Sequence, residues 1–240
     1  MNAPNVAEGI FKLNLFTHYD SEKVAKMCES VGLYGRALQN YSNMADIKRV
    51  ILNTHAIPEE QILDFFGKLG EEDSLQCMYD MLKSNRQNVQ IVAKIAVRYA
   101  SKVDTKKSIE VLESFGTNEG MLYYLANVLP HTEDPDIYFK YIVTCARLGN
   151  VKEVERVIRE TSSYDPIKVK DFLMEAKLLD PRPLIYLCDI HKFIEEMTRY
   201  FHSIRQLKYL EIYLFKVNMN ATPKVLGTLI ELDCEESYIK

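Results

Sequence analysis

Apolar residues recur three and four positions apart along almost the whole chain, and no run of alternating polar and apolar residues is bounded by hairpin turns. The pattern predicts an all-α protein. Four helix starts are marked where a capping side chain stands just before a proline: Asp134-Pro135, Asp165-Pro166, Asp180-Pro181 and Thr222-Pro223. In each, the side-chain oxygen can accept a free backbone N–H, while proline at the first helical position gives up only an N–H that has no acceptor. Ile57-Pro58-Glu59-Glu60 offers a fifth start, with two carboxylates where the helix dipole favours negative charge. Connections are expected at Gly32, near Gly70, at Asp104, from His131 to Asp134, at Gly149-Asn150, from Ser163 to Asp165 and from Ser203 to Arg205. The helices between them are short, about 10 to 16 residues, and no long linker divides the chain.

Several of these helices carry two apolar rows. Leu207, Leu210, Leu214 and Val217 form one row and Tyr209, Ile212 and Tyr213 another; Val89, Val92, Ala93 and Ala96 likewise stand beside Ile91, Ile95 and Tyr99. A helix with two apolar rows is covered on two sides, as in a stack. Cys28-x-x-x-Gly32 and Cys145-x-x-x-Gly149 repeat one another at helix ends. Each is followed by a second amphipathic helix, containing Ala37 and Tyr41 or Val154 and Ile158. Helical hairpins recurring roughly every 25 to 35 residues predict an irregular α-solenoid of about seven or eight hairpins. The tetratricopeptide and ankyrin signatures are absent, and there is no Trp.

The chain has 240 residues, a length compatible with one large domain, two small ones or a repeat array. Its 30 Lys and Arg against 34 Asp and Glu give a net charge of -4, the wrong sign for neutralising many phosphates, so nucleic acid is not an expected partner. The longest stretch free of charge, Gly120 to Thr132, is 13 residues and contains Pro130, too short for a membrane span, and the first residues do not form a secretory signal. Cys28, Cys77, Cys145, Cys188 and Cys234 are odd in number and widely spaced, which favours reduced, buried thiols in a cytosolic protein. On the same ground the sequons at Asn40 and Asn220 carry no meaning.

Candidate chemistry is sparse. Cys188-x-x-His191 could supply half of a zinc site, but no second pair stands nearby and Cys188 lies in the apolar run Leu184 to Cys188, so it reads as a core thiol. His18, His55, His131 and His202 are scattered. The acidic groups Glu59-Glu60, Glu71-Glu72-Asp73, Glu195-Glu196 and Glu235-Glu236 are adjacent in sequence, so on a helix they diverge; they read as solvated faces. Gly116-Thr-Asn-Glu-Gly120 lacks the Lys and the strand of a phosphate loop. Lys106-Lys107 and Lys48-Arg49 are too small for a nucleic-acid stripe, and the 15 Tyr and 10 Phe read mainly as core. No catalytic, cofactor-binding or metal-ligating residue is therefore expected, and partner-contact residues are not legible.

Long collinear stretches resemble the leg of the clathrin heavy chain. They are Leu15 to Cys28 with Gly32 to Leu38, Ala45 to Val50 with Thr54-His55, Phe66-Gly67 with Glu72 to Leu75, and Arg86 to Gln90. The strongest block runs from Asp134 to Ile142 and through Gly149 to Arg156 to Tyr164-Asp165-Pro166. Phe172 to Leu178, Pro183 to Ile185 with Cys188-Asp189, and Tyr209 to Tyr213 with Lys216 to Asn218 continue it. Pro181-Arg182, the stretch Ile190 to His202 and the end from Glu235 depart from the family, which suggests a distant species or a paralogue. The resemblance implies a right-handed α-solenoid (superhelix) of stacked short helical hairpins. Residues 1–85 would be the later part of one clathrin heavy-chain repeat, 86–231 the following repeat and 232–240 the start of the next, so the chain would be an excised or partial leg segment.

The resemblance further implies a structural, non-enzymatic role without cofactors in coated pits and vesicles, on their cytosolic face, in endocytosis and trafficking. Partners would be the legs of neighbouring clathrin heavy chains. The parent chain would be trimeric, with light chains and adaptors bound outside this segment, and with no nucleic acid and no direct membrane insertion. The alternative reading is a scaffold subunit of a vacuolar-sorting tethering complex that contains the same repeat.

Overall fold

A computed structural model describes Gly9 and residues 19–234; the Leu15 to His18 part of the first matched stretch and Glu235-Glu236 lie outside the described residues. Fifteen short α-helices and four single 3₁₀ turns, and no strand, occur among the described residues. The chain divides into two compact units, residues 1–128 and 129–240.

The first unit contains α1 (Ser21–Ser30), α2 (Tyr34–Asn40), α3 (Met44–Ile51), α4 (Glu59–Phe66), α5 (Glu71–Ser84), α6 (Val89–Arg98), α7 (Thr105–Ser114) and α8 (Asn118–Val128). Each helix packs on its neighbour in sequence or on the helix two further on. Thus α2, α4, α6 and α8 form one row and α3, α5 and α7 another, with α6 touching α4, α5, α7 and α8. The two apolar rows of α6 follow from this. Val92, Ala93, Ile95 and Ala96 are buried, and Val89, Ile91 and Tyr99 are half-buried along the flanks.

The second unit contains α9 (Pro135–Arg147), α10 (Val151–Glu160), α11 (Pro166–Ala176), α12 (Arg182–Ile190), α13 (Ile194–Ser203), α14 (Lys208–Lys216) and α15 (Thr222–Glu231). The same rule holds: α9 packs on α10 and α11, α12 on α10, α11 and α13, and α13 on α14 and α15. Among its core side chains are Ile142, Cys145, Leu187, Cys188, Met197, Phe201 and Tyr213. On α14 the two-row reading fails in part. Leu210 and Tyr213 are buried, but Ile212 is 37% exposed and Phe215, on the same side of the helix, 77%.

The predicted starts hold with two corrections. Asp134 accepts from the Asp136 N–H at 2.9 Å, and Asp165 from Ile167 and Lys168 at 2.9 and 3.1 Å, each ahead of a proline at N1. Asp180 accepts from the Arg182 N–H at 3.1 Å, but the helix begins one residue later than Asp180-Pro181 implies, at Arg182. Thr222 is not a cap. The 3₁₀ turn Met219–Ala221 runs straight into α15, so Thr222 is already helical and its hydroxyl donates backward to the Met219 carbonyl at 2.6 Å.

The repeated Cys-x-x-x-Gly segments are one helix-ending device. The N–H of Leu33 donates to the Cys28 carbonyl (2.8 Å) and that of Asn150 to Cys145 (2.9 Å), across Gly32 and Gly149 in the left-handed region at φ 80° and 72°. Three more helices end the same way without glycine: Phe193 donates to Cys188, Gln206 to Phe201 and Cys234 to Leu229. The left-handed residues there are Lys192, Arg205 and Asp233, at φ 64°, 55° and 51°.

Candidate functional site

Cys188 and His191 lie at the C-terminal end of α12 and face different surroundings. Cys188 is fully buried, and burial pushes its thiol up to about 12, which makes it a core group and a poor metal ligand. His191 sits between Tyr164 and Phe193, edge-on to the first (centroids 5.6 Å) and stacked on the second (6.1 Å). The Tyr164 hydroxyl donates to the Ile158 carbonyl at 3.1 Å, so its contact with His191 Nε2 at 3.0 Å must be one in which the imidazole N–H donates. Burial holds the His191 pKa below its ordinary value. The arrangement orders the α12 terminus. No group of three metal-ligating side chains occurs among the described residues.

The other candidates disperse. His55 and His131 are exposed in 3₁₀ turns and His202 is half-buried on α13, whereas His18 lies outside the described residues. Gly116 ends α7 in the left-handed region, and Gly120 is buried where α8 crosses α6; a Cβ there would come within 2.2 Å of Val89 Cγ2. That segment is a packing joint. All five cysteines are free; Cys28, Cys77, Cys145 and Cys188 are buried, but Cys234 is half-buried.

The acidic and basic groups are more structured than solvated faces. Glu59 pairs with Lys94 at 2.7 Å, and Arg98 reaches Glu60 at 3.1 Å and Asp64 at 2.8 Å, tying α4 to α6. Glu71 pairs with Lys107 (α5 to α7, 3.0 Å), Lys168 with Asp136 (α11 to α9, 3.0 Å) and Arg199 with Glu231 (α13 to α15, 2.7 Å). All link helices two apart. Arg49, half of one basic pair, is taken by Glu29 at 2.8 Å and Asp46 at 2.7 Å. Glu195 and Glu196 remain exposed. Exposed pairs contribute only about 0.2–1 kcal/mol each, against ~1.5–3 kcal/mol for each large apolar side chain buried, so apolar packing holds the stack and the pairs fix its register.

Sequence reasoning missed the tyrosines that latch helices through their hydroxyls. Tyr41 donates to Glu29 (2.7 Å), Tyr99 to the Leu63 carbonyl (2.6 Å), Tyr141 to Glu153 (2.8 Å), Tyr200 to the Met174 carbonyl (3.1 Å) and Tyr213 to Asp189 (2.8 Å). Hydrogen bonds from Arg49 and Tyr41 hold the Glu29 carboxyl at about 2, and Arg156 with Tyr141 lowers Glu153 in the same way. At helical spacing these rings read only as core, and the partner carboxylate or carbonyl is brought to them by tertiary packing.

The interhelical ion pairs and the tyrosine hydroxyls thus build joints between helices. A family model described as the region in clathrin and VPS proteins matches residues 1–90 and 96–237. Clathrin heavy chain 2 of Oryza sativa subsp. japonica is 47% identical over 238 residues, 99% of this chain and 14% of its own length. Clathrin heavy chain 2 of Homo sapiens is 42% identical over 241 residues, 100% of this chain and 15% of its own, and the clathrin heavy chain of Drosophila melanogaster 42% over 241 residues, with 100% and 14% covered. The chain spans 14 to 15% of the length of these relatives.

Proposed function

The chain belongs to the clathrin repeat family, the region found in clathrin and VPS proteins, and from that premise we propose that it serves as a structural leg segment of a clathrin vesicle coat. The observation that carries this reading is the collinear similarity of nearly the whole chain to clathrin heavy chains of rice, human and fly. The tethering-subunit alternative is not favoured, because these full-length matches are to clathrin heavy chains. The role is non-catalytic and needs no cofactor. Its site is the cytosolic face of coated pits and vesicles, in endocytosis and intracellular transport, and no helix among the described residues is long and apolar enough to cross a membrane.

Stacked hairpins in which each helix touches only near neighbours give a segment that spreads small rotations over many interfaces, so one leg fits lattices of different curvature. Its partners are the legs of neighbouring heavy chains, joined by many weak contacts whose multivalency supplies the net affinity and still permits disassembly. Light chains and adaptors bind outside it. The repeat array joins near residues 85–86, with residues 232–240 opening the next repeat.

The test is an exchange of this chain for the matching stretch of the Drosophila melanogaster heavy chain in cells depleted of their own. The hybrid is expected to enter coated pits and, once purified, to form polyhedral cages by electron microscopy. A hybrid that folds and oligomerises like the parent, yet forms no cages or goes instead to a tethering complex, overturns the reading.

A further inference from the structure

The second unit carries a concave surface between the α11–α12 connection and the α13–α14 connection. After α11 the chain turns through Lys177 in the left-handed region (φ 46°), and Leu178 to Pro181 then forms one wall of a groove of about 380 Å³ whose other wall is the α13–α14 connection. Its floor is apolar: Leu173, Leu184 and Phe201 are buried, and Tyr200, Phe201 and Tyr209 stand in ring contact at 5.4 and 5.5 Å between centroids. Leu179 projects from the wall and is 99% exposed, so an occupant would recover apolar burial that folding leaves unused. The connection Gln206 to Lys208 also lines a second lobe of about 630 Å³ that reaches His202, Arg205 and Asp233.

Charge around the two lobes is unbalanced. Lys177, Arg205 and Lys208 are exposed on the rim and none is held in an ion pair among the described residues; Lys208 Nζ rests 5.1 Å from the Tyr209 ring centroid. Of the two acids, Asp180 is already taken by the Arg182 guanidinium at 2.9 Å, which leaves Asp233 alone. These cations cluster in a chain whose net charge is -4, whereas Lys94, Arg98, Lys107 and Arg199 are held in pairs that tie helices together.

We propose that this two-lobed groove docks a short acidic segment of another protein, whose apolar side chains enter the α11–α14 floor while its carboxylates meet Lys177, Arg205 and Lys208. A recessed apolar floor with cations at its mouth fits alternating apolar anchors and acids on a peptide. A membrane-inserting surface would instead present its apolar side chains outward, and here only Leu179 does so.

Fluorescence polarisation with the 240-residue chain tests this, using labelled 15-residue peptides that pair Leu and Phe with Asp and Glu, the same anchors with Lys, or the same acids with Ser. The first peptide is expected to bind saturably and at least ~10-fold tighter than the others. Lys177→Glu with Lys208→Glu should weaken it by about 10-fold or more, and Leu179→Ser by several-fold, whereas Lys83→Glu in the first unit leaves it unchanged. Thermal melts by circular dichroism establish that the variants stay folded. No saturable binding, equal binding of the Lys peptide, or affinity that ignores both groove variants overturns the proposal. So does preferential binding to phosphatidylserine-containing vesicles, or self-association of the chain that Leu179→Ser abolishes.

Discussion

At the scale of single residues, this protein spends its polar side chains on joints. Tyr213 is fully buried and donates to Asp189, which also accepts from Asn218 Nδ2 at 2.6 Å. Removing the hydroxyl strands part of that carboxylate's bonding, so Tyr213→Phe is expected to cost about 1–2 kcal/mol in urea unfolding, with helix content unchanged. The Glu29 carboxyl, held at about 2 by Arg49 and Tyr41, makes stability depend on pH. Above an unfolded value near 4.5 the glutamate is ionised in both states and its full contribution is present. As pH falls from there toward 2 the unfolded chain takes up the proton first, and that contribution is lost. Urea midpoints at pH 7, 4.5 and 3 should fall below 4.5 in the parent and fall less in Glu29→Gln.

At the scale of the element, helix ends and crossings are fixed by backbone geometry that particular side chains permit or resist. Seven of the described helices end on a left-handed residue, yet only three of those residues are glycine. Lys192 holds φ 64° against a Cβ penalty of ~1–2 kcal/mol, part of which glycine would give back in the unfolded chain. Lys192→Gly is expected to raise stability by about 0.5–1 kcal/mol, read as a higher melting temperature. The crossing of α8 over α6 has the opposite requirement. An alanine at position 120 would drive its Cβ into the stiff, β-branched Val89, so Gly120→Ala should cost ~1–3 kcal/mol in chemical denaturation.

At the scale of the whole molecule, stability is assembled from neighbour to neighbour. Within the first unit α6 touches α4, α5, α7 and α8 and no more distant helix strongly, so the contacts that report a perturbation are local. In such an array stability is close to a sum of hairpin terms and nearest-neighbour interfaces. Hydrogen exchange of Gly120→Ala read by mass spectrometry should show the largest loss of protection in α6 to α8, diminishing hairpin by hairpin toward α1. Uniform loss across that unit would instead mean that it unfolds as one cooperative block.

The amino-acid sequence by itself determined the class of fold, because a helical period needs only residues three and four apart. It also marked most helix ends, since Asp-Pro and Cys-x-x-x-Gly act within a few residues of themselves. The resemblance in its long collinear stretches reached the family. What only the tertiary structure decided depends on residues far apart in the chain. Glu59-Glu60 and Lys48-Arg49 look like free surface until packing brings Lys94, Arg98 and Glu29 to them. Tyr213 and Tyr99 look like core until Asp189 and the Leu63 carbonyl arrive. Thr222 has the sequence of a cap, and the preceding turn takes that role away. The rim of Lys177, Arg205 and Lys208 is scattered over 32 positions and becomes one patch only when α11 to α14 fold together. A local rule cannot see such pairings, because which helix lies against which is set by burial summed over the stack.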